Sequence, residues 1–343
     1  MPFEIDFLPV GDGEHSGDAI AMRFQDAGGI WRHVVIDGGY SDDGTALISH
    51  IDRYYDTNHL DLVLLTHADR DHRGGLTTVM SNFTIGQFAV HRLDQRGGSD
   101  LPGTKEVNAL IALAEARGAS IVEPFAGASG FGGILTVLGP SVEFFDEMIS
   151  AQHVTLAAAP VRTRGGLTLA EVAAARARLI EVPALPDEQW FDEGEGTNPR
   201  NQTSAITLWN FNGHRVLLTG DAGVDAMVNA WDWLVASGLD ASPPRNAQVP
   251  HHGSRRNCST DMLDYVLGPV GGSQSGEAVV SVAPGSLKHP SPRVINAFAR
   301  RKYPVATTAG CEEAIMLNGD GMPQRFGWST APVFPPLSEA VEG

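Results

Sequence analysis

Apolar and polar positions alternate at the start of the chain. Phe3, Ile5 and Phe7 are separated by acidic residues, a period of two that predicts a half-buried strand. Gly11-Asp12-Gly13 breaks the pattern, and strands are expected again over 19–24 and 33–36, the second closed by Asp37-Gly38-Gly39. Residues 43–56 have helical spacing, with Ala46, Leu47, Ile51 and Tyr54 on one face. The run LDLVLLT over 60–66 is continuously apolar, as in a strand buried on both faces. It ends in a polar cluster, His67 to His72, then Gly74-Gly75 and an apolar-periodic helix through Val79. Strand, polar loop and helix in that order place side-chain chemistry at a strand's carboxyl end.

Further strands are expected near 85–91, 119–122 and 134–138, with a helix over 104–117. The stretch 140–200 is different: Gly, Pro and acidic segments flank one helical pattern over 168–181 that carries Arg176 and Arg178. A connection of this length is either a binding insertion or a surface excursion. Beyond it, Asn212-Gly213 predicts a tight turn between strands over 203–210 and 214–220. A helix over 224–236, a short strand over 247–250, strands near 278–283, 303–308 and 312–317, and a helix over 291–301 complete the pattern. The expected organisation is one unit over 1–330 with an insertion at about 142–200 and a Pro-rich peripheral tail over 331–343.

Composition narrows the class. The 343 residues hold 42% hydrophobic and 19% charged positions, the balance of a folded globular chain. No apolar run approaches the ~20 residues that span a bilayer, so no membrane association is expected. Acidic residues stand where a secretory signal would be basic. Two cysteines, Cys258 and Cys311, make neither a disulfide framework nor a metal knuckle, and a cytoplasmic location is expected. The net charge of -17 disfavours broad coating of nucleic acid.

Candidate chemistry sits at four strand ends. His67, Asp69, Asp71 and His72 offer four nitrogen or carboxylate groups within six residues, ligand types that hold divalent metals. Alone, such a cluster fits a solvated loop equally well. It is joined by Asp221 in LLTGD, by His251 and His252 in VPHHGS, and by Asp37, each following an apolar strand.

Together these motifs resemble the metallo-β-lactamase-fold hydrolases, and within them the soluble hydrolase domain of the competence protein ComEC and its stand-alone relatives. The resemblance rests on IDGG (36–39), THADRDHRGG (66–75), NQTSAITL with LLTGDAG (201–208 and 217–223), VPHHGS (249–254) and SVAPGSLKHPSPRVINAF (281–298). It implies an α/β chain folded as a four-layer αβ/βα sandwich with a two-metal cleft. His67 and Asp69 would serve one metal, Asp71 and His72 the other, and Asp221 would bridge them. His251 would complete the second site, with adjacent His252 a competing choice. Asn201 stands where most members carry a histidine, and Asp69 replaces another. Both Asn201 and Asp37 remain open as ligands or as groups behind the ligands. The family's first Gly-Asp turn is also interrupted here, by residues 14–16 before Gly17-Asp18.

An oxygen-rich site suits manganese or magnesium, while its histidines keep zinc open. The expected activity is hydrolysis by a metal-bridging hydroxide, with Asp71 and Asp221 orienting the nucleophile. The favoured substrate is a phosphodiester in single-stranded or short nucleic acid, or a nucleotide-derived molecule. Arg255, Arg256, Ser254, Lys288 and His289 are the candidates to bind that anion, with Arg70 and Arg73 as further cations. The alternatives are hydrolysis of a lactone, thioester or other ester or amide bond, and a binding or scaffold protein with a degraded site.

Overall fold

The computed structural model describes residues 1–11, 13–158, 188, 196–319, 321–322, 325 and 333–335. The first half supplies strands β1 (Phe3–Phe7), β2 (Ala19–Gln25), β3 (Trp31–Gly38), β4 (His59–Leu64), β5 (Thr84–Ala89) and β6 (Ser120–Val122). Helices α1 (Asp43–Tyr54), α2 (Arg70–Arg73), α3 (Leu76–Asn82) and α4 (Thr104–Ala116) lie between them. After β7 (Ser129–Gly130), β8 (Leu135–Gly139) and α5 (Val142–Ala158) come β9 (Ile206–Phe211), β10 (His214–Leu218), α6 (Val224–Ala236) and β11 (Asn246–Gln248). Helix α7 (Thr260–Leu267), β12 (Glu277–Val280), α8 (Pro292–Arg300), β13 (Val305–Thr307) and β14 (Ile315–Asn318) follow.

Two seven-stranded sheets result, ordered β14-β1-β2-β3-β4-β5-β6 and β13-β12-β11-β10-β9-β8-β7. Each is mixed: β3 to β6 and β10 to β13 run parallel, while the strands on the other side pair antiparallel. Period-two alternation sends Val35, Val63 and Phe88 outward to a core with Leu47, Leu76 and Leu110 of the helices. The alternate residues Ile36, Leu62 and Leu64 turn inward and meet Trp209, Val216 and Leu218 of the other sheet. Leu217 and Ala247 of that sheet face Met227, Leu263 and Phe298 of α6, α7 and α8. Three apolar layers therefore separate four layers of structure, the αβ/βα sandwich expected from the motifs.

Some local expectations change. Every residue of β1 is buried, Glu4 and Asp6 included, so it is not half-solvated. His50 Nε2 of α1 and Tyr55 Oη just beyond it reach Asp6 Oδ2 at 2.8 and 2.7 Å, while Glu4 pairs with Arg23 and Arg325. Correspondingly, α1 buries Leu47, His50 and Ile51 while Ala46 faces solvent. The tail reaches the second sheet, with Val333 bridging Ala306 and the Phe334 N–H donating to Val305. The helix expected over 168–181, with Arg176 and Arg178, lies outside the described residues. Among the described residues no helix is long and apolar enough to cross a membrane.

Topology gathers the chemistry on one edge. Parallel strands β3, β4, β10, β11 and β12 deliver their carboxyl ends there, and antiparallel β2 and β9 begin there. The segments holding Asp18, Asp37, His67–His72, Asn201, Asp221 and His251–His252 thus meet across the cleft between the sheets.

Candidate metal centre

The ligand loop leaves β4 through Thr66 and folds into the single turn of α2. A close approach of two glycine pairs makes this geometry available: a Cβ on Gly75 would collide with the carbonyl of Gly38. Backbone hydrogen bonds lock the turn, with Asp18 N–H donating to Asp71 O (3.1 Å) and Gly39 N–H to Asp18 O (2.7 Å). Asp71 is thus held from the side of the neighbouring sheet strand.

Asp221 is the hub. Its Oδ2 lies 3.8 Å from His67 Nε2 and 3.5 Å from His251 Nε2. Its Oδ1 lies 3.3 Å from His72 Nε2 and 3.9 Å from His252 Nε2. Asp69 Oδ2 joins the first group, 3.6 Å from His67 Nε2, and Asp71 Oδ2 the second, 3.6 Å from His252 Nε2. One carboxylate therefore faces two separate sets of nitrogen and oxygen atoms with its two oxygens.

The adjacent histidines are shared between these sets. The expectation seated His251 beside Asp71 and His72, yet His252 is the residue found there, and His251 lies on the His67 side. Both have left-handed backbones, with φ of 46° and 54°, and this turn sets their rings 74° apart with centroids separated by 5.8 Å. Consecutive positive φ values at non-glycine residues are costly, of order 1–3 kcal/mol each, and tend to be kept at functional sites.

Hydrogen bonds behind each imidazole fix its orientation. Asp37 accepts the Thr66 N–H on Oδ1 (2.8 Å) and the Thr66 hydroxyl on Oδ2 (2.6 Å). His72 Nδ1 donates to the same Oδ2 at 2.6 Å. Because the Thr66 proton is given to Asp37, its oxygen can accept from His67 Nδ1, 3.1 Å away. Asn257 Nδ2 donates to the carbonyls of Asp221 and Ala222, leaving its Oδ1 to accept from His251 Nδ1 at 3.0 Å. His252 Nδ1 donates to Ser281 O at 3.0 Å. All four rings thus present Nε2 to the cleft. Asp37 lies on the Nδ1 side of His72, and Asn201 Nδ2 lies 2.8 Å from His251 Nδ1.

Two groups at the centre are given no site role by the motif reading, which names Asp18 only in the interrupted Gly17-Asp18 turn. Asp18 is buried, receives Gln248 Nε2 on Oδ2 at 3.0 Å, and forms candidate ligand groups with Asp221 and His252 and with Asp37 and His72. Gln248 Oε1 in turn accepts the Thr219 and Gly220 N–H groups at 2.9 and 3.0 Å, tying Asp18 to the Asp221 turn. An acidic residue directly before a buried strand was the available signal. Arg200 places Nε 2.5 Å from Asp69 Oδ1; its only sequence cue is adjacency to Asn201.

The other candidates lie nearby or serve other purposes. The His289 ring lies 5.6 Å from that of His251 and 6.3 Å from that of His252. Burial and then these two neighbours lower its pKa to about 3, so it is neutral. Ser254 Oγ accepts the Arg256 N–H at 3.3 Å and caps the turn that carries Arg255 and Arg256, the first half-buried and the second exposed. Lys288 is exposed. Arg73 is used by the fold, its Nε donating to Ala68 O at 2.9 Å, and Arg70 lies over the Tyr40 ring. Cys258 is buried and its thiol is pushed up to about 12 by that burial, which leaves it inert.

The donor set fits divalent cations. His67 Nε2, His72 Nε2, His252 Nε2, Asp221 Oδ1 and Asp18 Oδ1 are all buried without a hydrogen-bond partner, an accumulation that native interiors avoid unless an ion or water satisfies it. The charges demand a cation too. Burial opposes the ionised form of Asp221, yet His251, His72 and His252 outweigh it and hold the carboxyl well below its usual range. Burial likewise opposes charge on His252, but Asp221, Asp71 and Asp18 raise its pKa to about 9. Against the same burial penalty, Asp221 and Asp37 raise His72 well above the ordinary value. Protons sit where positive charge is needed.

Residues 31–144 match the family model described as the metallo-beta-lactamase superfamily. No curated protein matches the chain. Among solved structures, YhfI from Bacillus subtilis, a metallo-beta-lactamase fold protein, aligns over 93% of this chain and 100% of its own at 9% identity and a TM-score of 0.44. Zn(2+)-bound PqqB from Methylobacterium extorquens aligns over 92% of this chain and 99% of its own at 12% identity and a TM-score of 0.45. A long form RNase Z from yeast aligns over 90% of this chain and 37% of its own, at 14% identity and a TM-score of 0.37. Two mixed sheets with helices outside both, and the family match over residues 31–144, give this chain the metallo-β-lactamase fold.

Proposed function

We propose that the chain is a two-metal hydrolase acting on phosphodiesters in single-stranded or short nucleic acid or in nucleotide-derived molecules. The observation that carries this reading is the division of Asp221: one oxygen faces His67, His251 and the Asp69 side, the other His72, His252 and the Asp71 side. His67, Asp69 and His251 would hold one ion, Asp71, His72 and His252 the second, with Asp221 shared. Zinc and manganese both suit this mixture of nitrogen and oxygen, with magnesium a third option. When bound, such ions supply Lewis acidity and bring the pKa of a water toward neutrality.

The chain's own residues do the rest. Asp37, Thr66, Asn257 and the Ser281 carbonyl fix which nitrogen each histidine presents. Asp71 keeps 25% side-chain exposure, so one of its oxygens can accept a hydrogen bond from an attacking water and orient it. His289, neutral at the cleft, can donate to a substrate oxygen. The narrower likeness to ComEC-type hydrolases rests on the motifs and favours a phosphodiester over other bonds.

The test combines elemental analysis with turnover of bis-p-nitrophenyl phosphate, single-stranded DNA, a lactone and a simple ester, with added Mn²⁺ or Zn²⁺. Phosphodiester turnover that chelation abolishes, and that Asp71→Ala removes, is the expected result. Turnover of the lactone or ester alone replaces the substrate class. Failure to recruit any divalent ion overturns the enzymatic reading.

A further inference from the structure

Five carboxylates, Asp18, Asp37, Asp69, Asp71 and Asp221, converge on this centre, and they outnumber the four positive charges of two divalent ions. An anionic substrate entering such a site meets no net attraction unless the chain supplies a cation. Arg255, Arg256 and Lys288, with Arg70 and Arg73, are the cations that the motifs offer for that purpose. Among the described residues, however, Arg200 is the one arginine or lysine ion-paired with a carboxylate of the centre, its Nε 2.5 Å from Asp69 Oδ1.

The geometry of Arg200 is that of a fork held by its stem. Nε is buried and meets Asp69 as an ion pair without a hydrogen bond, whereas the side chain as a whole keeps 32% exposure. Its backbone is fixed by the segment leading into β9: Thr203 Oγ1 donates to Arg200 O at 2.6 Å, and Thr203 N–H to the same carbonyl at 3.0 Å. Among the described residues the two terminal nitrogens have no hydrogen-bond partner. Asp69 meanwhile divides its oxygens, Oδ2 toward His67 Nε2 at 3.6 Å and Oδ1 toward Arg200. The carboxylate that stands where most relatives have a neutral histidine thus carries its own counter-charge.

We propose that Arg200 is the anion-gripping residue of the cleft: Nε neutralises the outer oxygen of Asp69, and the terminal nitrogens receive a phosphoryl oxygen of the substrate. A planar guanidinium suits both partners at once, which a lysine ammonium cannot match. This inference deepens the phosphodiesterase reading and rests on it for the identity of the substrate. The binding step can be measured without turnover.

The probe is inorganic phosphate, titrated calorimetrically into metal-loaded wild type, Arg200→Met and Arg200→Lys, with metal content measured on each. The expected result is phosphate binding weakened about tenfold or more in Arg200→Met, the equivalent of one charge-assisted hydrogen bond, at unchanged metal content. Arg200→Lys recovers part of the loss. With the diester substrate, KM rises more than kcat falls. Wild-type phosphate affinity in Arg200→Met, or no phosphate binding by the wild type, overturns the proposal. Loss of metal in parallel with phosphate also overturns it, because Arg200 would then only prop Asp69. Should Arg200→Met not fold, unchanged phosphate affinity in Arg200→Lys refutes the two-pronged contact. Arg200-dependent phosphate binding without diester turnover would instead retire the phosphodiesterase reading and keep Arg200. Diester turnover indifferent to Arg200 would do the reverse.

Discussion

Single side chains decide what this cleft can hold. His251 and His252 are neighbours in sequence and opponents in space, each reaching one oxygen of Asp221. If the cleft holds two ions as proposed, His251→Ala and His252→Ala should each lower metal content from two equivalents toward one, and the double substitution should remove both. Equal loss of both metals in either single variant would show that the two sets do not bind separately. Asn201 stands where the hydrolases that this chain resembles mostly carry a histidine. Asn201 lies beside the Nδ1 edge of the His251 ring, and His251 Nε2 stands 3.5 Å from Asp221 Oδ2. Most of the side chains that gather around Asp221 could be named in advance because His67 to His72 follow directly on a buried strand. Their partition could not, since a backbone turn with two positive φ values separates the histidines and leaves no compositional mark.

At the scale of elements, the ligand loop depends on close contact between Gly38-Gly39 and Gly74-Gly75. Gly75→Ala puts a methyl against the Gly38 carbonyl and should destabilise the fold by about 1–3 kcal/mol through overpacking. Since it also shifts α2, metal affinity should fall along with the melting temperature. Calorimetry with and without metal checks this, and a melting temperature equal to wild type would show that the loops can separate at no cost. Most strands and helices were readable from period, with boundaries displaced by a few residues, but α5 (Val142–Ala158), inside the stretch read as an insertion, and α7 (Thr260–Leu267) were not expected. The face of α1 was misread at Ala46, because a hydrophobic count favours alanine over His50. That histidine is buried for its bond to Asp6, a partner on another strand.

The whole molecule stores charge in a second place. Glu4 and Asp6 are buried on β1 with Arg23 and Arg325 beside Glu4. Burial, and then Asp6, raises Glu4 to about 7, and burial raises Asp6 to about 6. Folded-state values above the unfolded ones mean that the native protein binds these protons more tightly. Their contribution to stability is therefore complete below about pH 4 and is lost as pH rises toward 7. Relative to wild type, Glu4→Gln should gain melting temperature between pH 5 and pH 8, and parallel pH profiles of the two proteins would refute this. From composition alone these residues read as the solvated side of a strand. Their burial follows from α1 and the Arg325 side chain lying against the sheet. By itself, the sequence determined most of the element types and named the histidines and aspartates at the strand ends, because periodicity and strand-end motifs are local properties; the four-layer arrangement followed from the motif resemblance. Tertiary structure alone decided which histidine faces which oxygen of Asp221, and that Asp18 and Arg200 belong at the centre. Those relations join residues far apart in the chain, through contacts that exist only once the two sheets have closed on each other.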